Sequence, residues 1–491
     1  MKKMYLGKLV LHWCPECNLP VLGETCACGS STQKVNITPP GDIRPAFDYD
    51  IDYINATAIE MFGAPLIATG KIAILNKVPS DDRMEEIIVD GAALANIRFV
   101  IESKQWVLLT RMEGAVRLFP GKDKRRRWVM IDASAVGPIS GGASTLAPGV
   151  IDADPEIVPG DEVIVLTPES RPVAAGRARM NGIEMVEASY GMAVRTRWSG
   201  MVEVNERTDK QTWDLVLNAN RHILNDFEAK ARKFIKNVSQ STNRPVTVSY
   251  SGGKDSLATL LLVMDCIEQF DMLFVDTGLE FPETLANIDQ VAKKYDIPLK
   301  RSNAGDEFWE SIETLGPPTV ERRWCSKICK MEPISRLINE NFPDGCLTFI
   351  GQRKYESEGR AKSDSIWKNP WIKNQIAASP IQNWTALHVW LYLFDKKALY
   401  NPLYEQGFDR IGCWLCPSSS MSDLLRIKHT HLHMWNRFEQ KLKAYAEKNG
   451  YGEEWIDYGL WRWQNPPKVL RELGSDSKKY KNKILPSVGF S

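Results

Sequence analysis

The chain has 491 residues, enough for roughly three or four domains of ordinary size. Its 62 lysines and arginines balance 61 aspartates and glutamates, so overall charge excludes a strongly basic nucleic-acid binder and leaves only local patches for that role. The longest apolar run, near Leu260–Met264, is far shorter than the ~20 residues of a membrane helix, and the start has no signal-peptide core. We therefore expect a cytoplasmic protein without membrane contact.

Eight of the ten cysteines fall in close pairs, which in such a chain favours metal ligands over disulfides. Residues 1–45 are predicted to be a zinc-ribbon-like segment with a proline-rich linker. Its zinc ligands would be Cys14, Cys17, Cys26 and Cys28. The second pair is one residue tighter than the usual spacing, so His12 is an alternative fourth ligand. Cysteines that only pack in the core, or that form redox-active disulfides, are the other interpretations. So short a segment, however, needs a bound metal ion or a covalent cross-link to be stable.

Residues 46–118 are predicted to be an α/β region, and residues 119–200 a small β-rich module. Short strands such as "DEVIVLT" and "GMAVRTRW" there alternate with turn signals. The stretch "GGASTLAPGVIDADPEIVPGDEVIVLTPESRPVAAGRARM" resembles the PUA domain, a small RNA-binding β-barrel, which implies RNA as a partner.

A dense basic run precedes this stretch and offers contacts to phosphates. Its predicted RNA-binding residues are Lys122, Lys124, Arg125, Arg126 and Arg127. Taken alone, the same run would fit a solvated loop.

Helical spacing of apolar residues over 211–238 predicts a long helix, and we assign residues 201–240 to a helical linker. From Arg244 onward, strands alternate with helical stretches, which favours a parallel sheet with crossover helices. Residues 241–430 are assigned to that domain. Residues 431–491 are assigned to a helical, basic C-terminal extension.

The stretch "VTVSYSGGKDSL", residues 246–257, passes from a strand through two glycines into a helix. Glycines permit a close backbone approach, and N–H groups at a helix start can hold an anion. The spacing matches neither a Walker loop nor a dinucleotide fingerprint. The residues S-G-G-x-D-S are identified as the PP-loop of the ATP-pyrophosphatase superfamily.

Four further segments resemble the phosphoadenosine phosphosulfate (PAPS) reductase family, in the same order, over about residues 244–420. They are "FVDTGLEFPET", "RRWCSKICKMEPI", "GQRKYES" and "NPLYEQGFDRIGCWLCP". The resemblance implies a multidomain α/β protein whose doubly wound parallel sheet follows the zinc ribbon and the PUA-like barrel. It also implies an adenosine nucleotide, ATP or PAPS, with Mg²⁺.

The same resemblance assigns roles to individual residues. The phosphate end of the nucleotide would lie on Ser251, Gly252, Gly253, Asp255 and Ser256, and the adenosine beside Asp276, Thr277 and Gly278. The catalytic candidates are Lys254, Asp255 and Arg353. Arg353 would be a second anion clamp, since a guanidinium fits phosphate, and an ordinary salt bridge is its alternative.

A second cysteine group resembles the iron–sulfur ligands of the cluster-bearing branch of that family. It consists of Cys325, Cys329, Cys413 and Cys416. That branch has two adjacent cysteines where this chain has Cys325-Ser326, and Cys329 replaces the second one a helical turn on. Residues i and i+4 share a helix face, so a [4Fe–4S] cluster stays feasible, with zinc as the rival.

Conventional members carry a nucleophilic cysteine in a C-terminal tail, and no cysteine follows Cys416 here. The favoured hypothesis is therefore ATP-dependent modification of RNA, specifically tRNA thiolation, with a sulfur donor. A PAPS or APS reductase with an electron donor is the first alternative. A non-catalytic, nucleotide-sensing RNA-binding protein is the second, and DNA phosphorothioation ranks lower. A homodimer is a further possibility.

Overall fold

The computed structural model describes residues 11–39, 41–121, 125–203 and 207–473. Four β-sheets follow one another along this part of the chain. Lys122 and Lys124, two of the predicted RNA-binding residues, lie outside the described residues. Within the described ranges, no helix is both long enough and apolar enough to cross a lipid bilayer.

The first sheet is a small antiparallel one with the order β2-β1-β3. Its strands are β1 (His12–Cys14), β2 (Leu19–Val21) and β3 (Gln33–Lys34). Leu19 and Val21 share a buried core with Val216 and Leu224, which lie on a long helix much later in the chain. Strands this short cannot form a stable core alone, so the segment depends on that helix and on its cysteines.

The second sheet is an antiparallel meander with the order β4-β5-β6-β7-β8. Its strands are β4 (Ile43–Pro45), β5 (Ile74–Lys77), β6 (Met84–Val89), β7 (Ala92–Val100) and β8 (Gln105–Thr110). Helices α1 (Asp48–Phe62) and α2 (Met112–Leu118) belong to the same region. The boundary predicted after residue 45 separates β4 from its own sheet, because β4 pairs with β5.

The third sheet has six strands in the order β10-β14-β13-β12-β9-β11, with one parallel pair, β9 and β12. The strands are β9 (Trp128–Ile131), β10 (Thr145–Leu146), β11 (Val150–Ala153), β12 (Glu162–Leu166), β13 (Pro172–Ala178) and β14 (Met192–Ser199). Helices α3 (Ala133–Ser140) and α4 (Gly182–Glu187) accompany them. The module encloses its own core, which includes Val129, Val165 and Val173.

Helix α5 (Trp213–Gln240) connects the two halves of the molecule and covers almost the whole stretch predicted to be helical. It begins at Thr212, whose side chain accepts a hydrogen bond from the N–H of Leu215. Its first turns pack in the core of the first sheet, and its later residues, such as Ile235, pack in the core of the last one.

The last sheet has the order β17-β16-β15-β18-β20-β19 and is parallel except for β19. Its strands are β15 (Val246–Ser249), β16 (Asp271–Asp276), β17 (Leu299–Asn303), β18 (Cys346–Ile350), β19 (Ile366–Lys368) and β20 (Gln375–Ala378). The chain builds outward from β15 in one direction and then, from β18, in the other. The strand order therefore reverses between β15 and β18, where open α/β sheets bind their ligands.

The helices of this domain alternate with its strands. They are α6 (Lys254–Met264), α7 (Pro282–Tyr295), α8 (Glu307–Leu315), α9 (Trp324–Ser326), α10 (Glu332–Asn341), α11 (Glu358–Ala361) and α12 (Ala386–Asp395). Four more follow: α13 (Met421–Thr430), α14 (Leu432–Asn449), α15 (Glu454–Asp457) and α16 (Lys468–Arg471). Residues of these last helices share the core of the last sheet.

Candidate nucleotide site and cysteine clusters

The predicted PP-loop lies at the point where the strand order reverses, between the end of β15 and the start of α6. Gly252 has a φ of 75°, and a Cβ there would lie 2.7 Å from Cγ2 of Thr284. Gly253 precedes the first turn of α6 and gives no side-chain cap to it. Glycine is therefore required at position 252 by its backbone conformation and by its packing on Thr284, and neither glycine covers the loop backbone with a side chain.

Several N–H groups of the loop are available to an anion. Ser251 donates its N–H to Oγ of Ser256 at 3.2 Å, and Lys254 donates to the hydroxyl oxygen of Tyr404 at 2.9 Å. Among the described residues, the N–H groups of Gly252, Gly253 and Asp255 have no acceptor. Free N–H groups at a helix start attract negative charge, so this loop can hold a phosphate.

A chain of buried charges lies beneath the loop. Asp255 Oδ1 accepts a hydrogen bond from Nε of Arg353 at 2.6 Å, and Oδ2 lies 3.1 Å from Nζ of Lys254. Burial acts to raise the pKa of Asp255, but the positive charges of Arg353 and Lys254 outweigh it and lower that pKa. Asp255 is therefore an ionised carboxylate at neutral pH.

Arg353 is 1% exposed and is held from both sides by carboxylates. Its Nη1 and Nη2 lie 2.7 and 3.0 Å from the two carboxylate oxygens of Asp42. Asp42 Oδ1 also accepts the N–H of Ala386 at 2.8 Å, at the start of α12. These contacts are those of a residue that positions Asp255, as in the salt-bridge alternative. A direct anion clamp at Arg353 stays a prediction.

The predicted adenosine edge follows β16 and touches one of the thiols. Asp276 accepts the N–H of Gly278 at 2.9 Å, in a turn where Gly278 has a φ of 74°. Thr277 Oγ1 donates to Glu280 at 2.9 Å and lies 3.3 Å from Sγ of Cys413. The nucleotide site and the second cysteine group are therefore neighbours.

The N-terminal cysteines form a compact group. The four sulfur atoms of Cys14, Cys17, Cys26 and Cys28 all lie within 4.8 Å of one another. Nδ1 of His12 instead lies 3.0 Å from the hydroxyl of Thr32, so the four cysteines form the group without it. Four thiolates this close fit a single tetrahedral ion, and zinc is the ion that such a set prefers.

The second cysteine group is more open. Electrostatic contacts connect Cys325 with Cys416 and with Cys329, and Cys413 with Cys416. Cys329 is 1% exposed and lies in a π-helical turn, Lys327–Met331, that continues α9. Burial raises the pKa of Cys325 to about 11 and that of Cys329 to about 12.

Within the described ranges, only the N-terminal quartet brings its ligand atoms within 4.8 Å of one another. The thiols of the second group do not come that close together. Cysteines that bind a [4Fe–4S] cluster each hold a different iron, and such a cluster, with zinc as its rival, stays the prediction for this group.

The three arginines of the basic run that the structure describes all bond to the protein itself. Arg125 donates to the carbonyl of Leu118, and Arg126 to that of Glu60 at 3.3 Å. Arg127 forms an ion pair with Asp161, with 3.3 Å between Nη2 and Oδ1. Arg126 is the most exposed of the three and keeps donors free for phosphate.

Two residues of the site were absent from the sequence-based prediction. Asp42 lies in a stretch interpreted as a linker, where no local pattern marks it. Tyr404 lies inside the family-like segment of residues 401–417, and its position there was the available signal. Its hydroxyl holds the first turn of α6, and Nζ of Lys254 lies 5.8 Å from the centre of its ring.

Comparison with known proteins agrees with both resemblances. A model of the phosphoadenosine phosphosulfate reductase domain matches residues 245–419, and a PUA domain model matches residues 127–198. An uncharacterized protein of Methanocaldococcus jannaschii is 40% identical over 474 residues, which is 94% of this chain and 98% of that protein.

Two further relatives are more distant. The adenosine 5'-phosphosulfate reductase of Staphylococcus epidermidis is 29% identical over 199 residues, which is 40% of this chain and 79% of that enzyme. The PAPS reductase of Candida auris, solved with phosphate, is 20% identical with a TM-score of 0.32, covering 40% of this chain and 96% of that one. The chain belongs to the phosphoadenosine phosphosulfate reductase family and places a PUA domain ahead of the PP-loop domain.

Proposed function

We propose that this protein uses ATP, bound at the PP-loop, to activate a base of an RNA, of the tRNA class, for thiolation. One observation carries the proposal: a single segment, residues 401–417, joins the anion-binding loop to the thiols. Tyr404 in this segment accepts the N–H of Lys254, and Cys413 lies beside Thr277 at the adenosine edge. The predicted phosphate-binding loop and the predicted sulfur-binding thiols therefore both contact this one segment.

The proposed reaction has two steps, adenylation of the base and addition of sulfur. A carbonyl oxygen of the base attacks the α-phosphorus of ATP, and pyrophosphate leaves as the bond to its bridging oxygen breaks. A sulfide-level donor then adds to the activated carbon, and AMP leaves with the original oxygen. The net change replaces C=O by C=S without oxidation or reduction of the base.

The residues of the chain have separate tasks in this scheme. The N–H groups of Gly252, Gly253 and Asp255 receive the pyrophosphate end. The ammonium group of Lys254 adds positive charge behind the loop, and Arg353 keeps Asp255 in place. Mg²⁺ would accompany the phosphates, which its preference for phosphate and carboxylate oxygens allows. A cluster on Cys325, Cys413 and Cys416, with Cys329, would supply a site that binds sulfur.

Docking of RNA is assigned to the PUA domain, and the zinc-binding group of cysteines is assigned a structural role. The PUA match supports RNA as the partner, because the PUA domain is a small RNA-binding β-barrel. Neither assignment needs the overall charge to be basic, since phosphate contacts act locally.

The test is a comparison of modified nucleosides. RNA from cells that lack the protein should miss one thiolated nucleoside in a mass-spectrometric profile. The wild-type chain should restore it, Asp255→Asn should not, and Asp344→Asn, at an exposed loop position, should. An unchanged nucleoside profile in the deletion strain would sink the proposal.

A sulfonucleotide reductase is the second candidate, and the likeness to the Staphylococcus epidermidis enzyme favours it. In that case the purified protein should release sulfite from APS or PAPS when a thiol or a low-potential donor is present. Restoration of the RNA profile by Asp255→Asn would instead favour the non-catalytic, nucleotide-sensing role.

A further inference from the structure

We propose that a cavity beside the nucleotide site binds one unpaired nucleobase of the RNA substrate. This inference rests on the proposed function and names the part of the RNA that enters the protein. The cavity has a volume of about 360 Å³ and is lined mainly by apolar side chains. Ligand pockets range from ~300 to 1,000 Å³, so this one suits a single ring system better than a whole nucleotide.

Two buried indole rings form walls of the cavity. Trp309 is 8% exposed and Trp414 is 3% exposed, and their ring centres lie 6.5 Å apart with a tilt of 34°. Such flat aromatic surfaces are what proteins use to stack an unpaired base.

One cationic side chain, that of Arg437, lies at the rim. The guanidinium of Arg437 lies 4.0 Å from the centre of the Trp309 ring, and His433 is exposed beside it. Arg437 also forms a solvent-exposed ion pair with Asp306, at 3.3 Å. A cation at the mouth of an aromatic cavity suits a base that is attached to a phosphate backbone.

A polar group inside the cavity is available to read the base. Glu280 lines it, and Oε1 of Glu280 accepts the hydroxyl of Thr277. The backbone N–H of Thr277 bonds to the same carboxylate, which still has lone pairs for a further donor. Pockets of this kind are largely apolar with a few placed polar groups that fix the ligand's orientation.

The position of the cavity fits the reaction. Gly278 lines it and belongs to the predicted adenosine edge, while Trp414 follows Cys413 directly in the chain. No residue of the loop 251–256 lines it. A base in this cavity would therefore lie beside the predicted adenosine edge and next to the segment that carries Cys413, close to both parts that the proposed reaction needs.

Photochemical crosslinking tests this assignment for any target base, because every nucleobase absorbs ultraviolet light. The full-length protein, bulk tRNA and a non-hydrolysable ATP analogue are irradiated at short wavelength, and the peptide–nucleotide adducts are mapped by mass spectrometry. We expect adducts on the peptides that contain Trp309 or Trp414. Trp309→Ala should reduce the adduct yield and the RNA affinity roughly tenfold, with an unchanged affinity for the ATP analogue.

Two controls keep the test decisive. Met434→Trp fills the cavity from the half-buried side of α14 and should also block the adducts, even if Trp309→Ala folds poorly. Trp371→Ala, at a tryptophan that is 62% exposed and does not line the cavity, should change nothing.

The outcomes separate this inference from the proposed function. Adducts confined to residues 127–198, with RNA binding intact, overturn the cavity assignment and leave RNA modification standing. Weaker binding of the ATP analogue to Trp309→Ala, with unchanged adducts, assigns the cavity to adenine and also overturns it. If the full-length protein binds no RNA, that result contradicts both the cavity assignment and the proposed function.

Discussion

At the residue scale, the site depends on charges that are buried only because each is paired. Lys254, Asp255, Arg353 and Asp42 form one continuous series of ion pairs under the loop. Removing one partner from a buried pair leaves an uncompensated charge, which is far costlier than replacing both. His388 lies next to this series and remains neutral, since burial, and then the charge of Arg353, lower its pKa to about 3.

His388 makes acid stability a measurable property of this site. Folded His388 stays neutral between about pH 3 and 6.5 while the unfolded chain takes up a proton, so the unfolded state binds more protons and stability falls on acidification through that window. We expect wild type to lose about 2 kcal/mol more unfolding free energy than His388→Gln between pH 6.5 and pH 5.

Glutamine suits this test because it can keep the cap of α12. Nδ1 of His388 accepts the N–H of Thr385 at 3.3 Å, and glutamine fills the same role in capping boxes. Urea unfolding at the two pH values provides the free energies, with His433→Gln at an exposed position as the control. Equal losses in wild type and His388→Gln would contradict the assignment.

At the element scale, the parallel pairing of β15 and β18 brings two loops into contact. A Cβ on Gly351, just after β18, would lie 2.4 Å from the carbonyl carbon of Asp255 and 2.5 Å from the N atom of Ser256. The strand end therefore requires glycine so that Arg353 can reach Asp255. The loop and its support are one unit made from two distant stretches.

Gly351→Ala should push the PP-loop out of position. Overpacking of this kind costs about 1–3 kcal/mol, so we expect a lower unfolding temperature together with at least a roughly tenfold loss of ATP affinity, measured by calorimetry. Gly359→Ala on α11 is the matched control, because no atom lies within 4 Å of its Cβ position. Normal ATP binding by Gly351→Ala would show that the loop tolerates the shift.

The first sheet depends on elements from the far half of the chain. Its core includes Leu387 and Leu391 of α12, so it supports the helix at whose start Asp42 is bound. The cysteine group should hold this small sheet together, since strands of two or three residues bury little surface of their own.

Cys14→Ser should therefore remove about one zinc ion per chain and loosen this segment. Cys14 is fully buried, so no solvent molecule easily replaces its thiolate. Metal analysis with limited proteolysis measures both effects, and Cys266→Ser, at a lone half-buried thiol, is the control. Retention of the full zinc content by Cys14→Ser would disprove this ligand set.

At the scale of the whole molecule, the second sheet joins the N-terminal half to the PP-loop domain. Nη1 of Arg83 donates to the carbonyl of Gly407 at 3.0 Å and lies 3.2 Å from Oδ1 of Asp423. Asp82 accepts the N–H of Met421 at 2.7 Å. These bonds join the second sheet to residues within and just after the segment 401–417, which carries Cys413 and Cys416. The two halves are therefore held together near the candidate site.

RNA binding should depend on the basic run and on salt. Arg126→Ala should weaken tRNA binding at low salt and reduce the slope of log affinity against log salt by about one unit, since one phosphate contact is lost. Affinity for ATP should not change. Fluorescence anisotropy over a salt series measures the slope, and Lys362→Ala, at the exposed residue that follows α11, is the control. An unchanged slope would exclude Arg126 from the interface.

The sequence by itself determined the features that depend on neighbouring residues. The loop of residues 251–256, the long helix α5 and the first cysteine quartet were all predicted, because glycine turns, helical periodicity and paired cysteines act over a few residues. The order of family-like segments also identified the domain. Tertiary structure alone decided the partners that act over long distances. Asp42 pairs with Arg353 although 311 residues separate them in the chain, and no local pattern marks this contact.

The second cysteine group shows the same limit in detail. Spacing predicted that Cys325 and Cys329 share a helix face, and an electrostatic contact does join the two thiols, but the chain forms a π-helical turn there and buries Cys329. That turn contacts α8 and α10, and residue spacing alone does not report it. Likewise, the cavity beside Trp309 and Trp414 is lined by residues of α7, α8 and α14, which are far apart in the chain. Turns, helices and cysteine pairs depend on neighbouring residues and can be predicted from the sequence. Burial and ion pairing depend on segments that are distant in the chain and come together only in the folded structure.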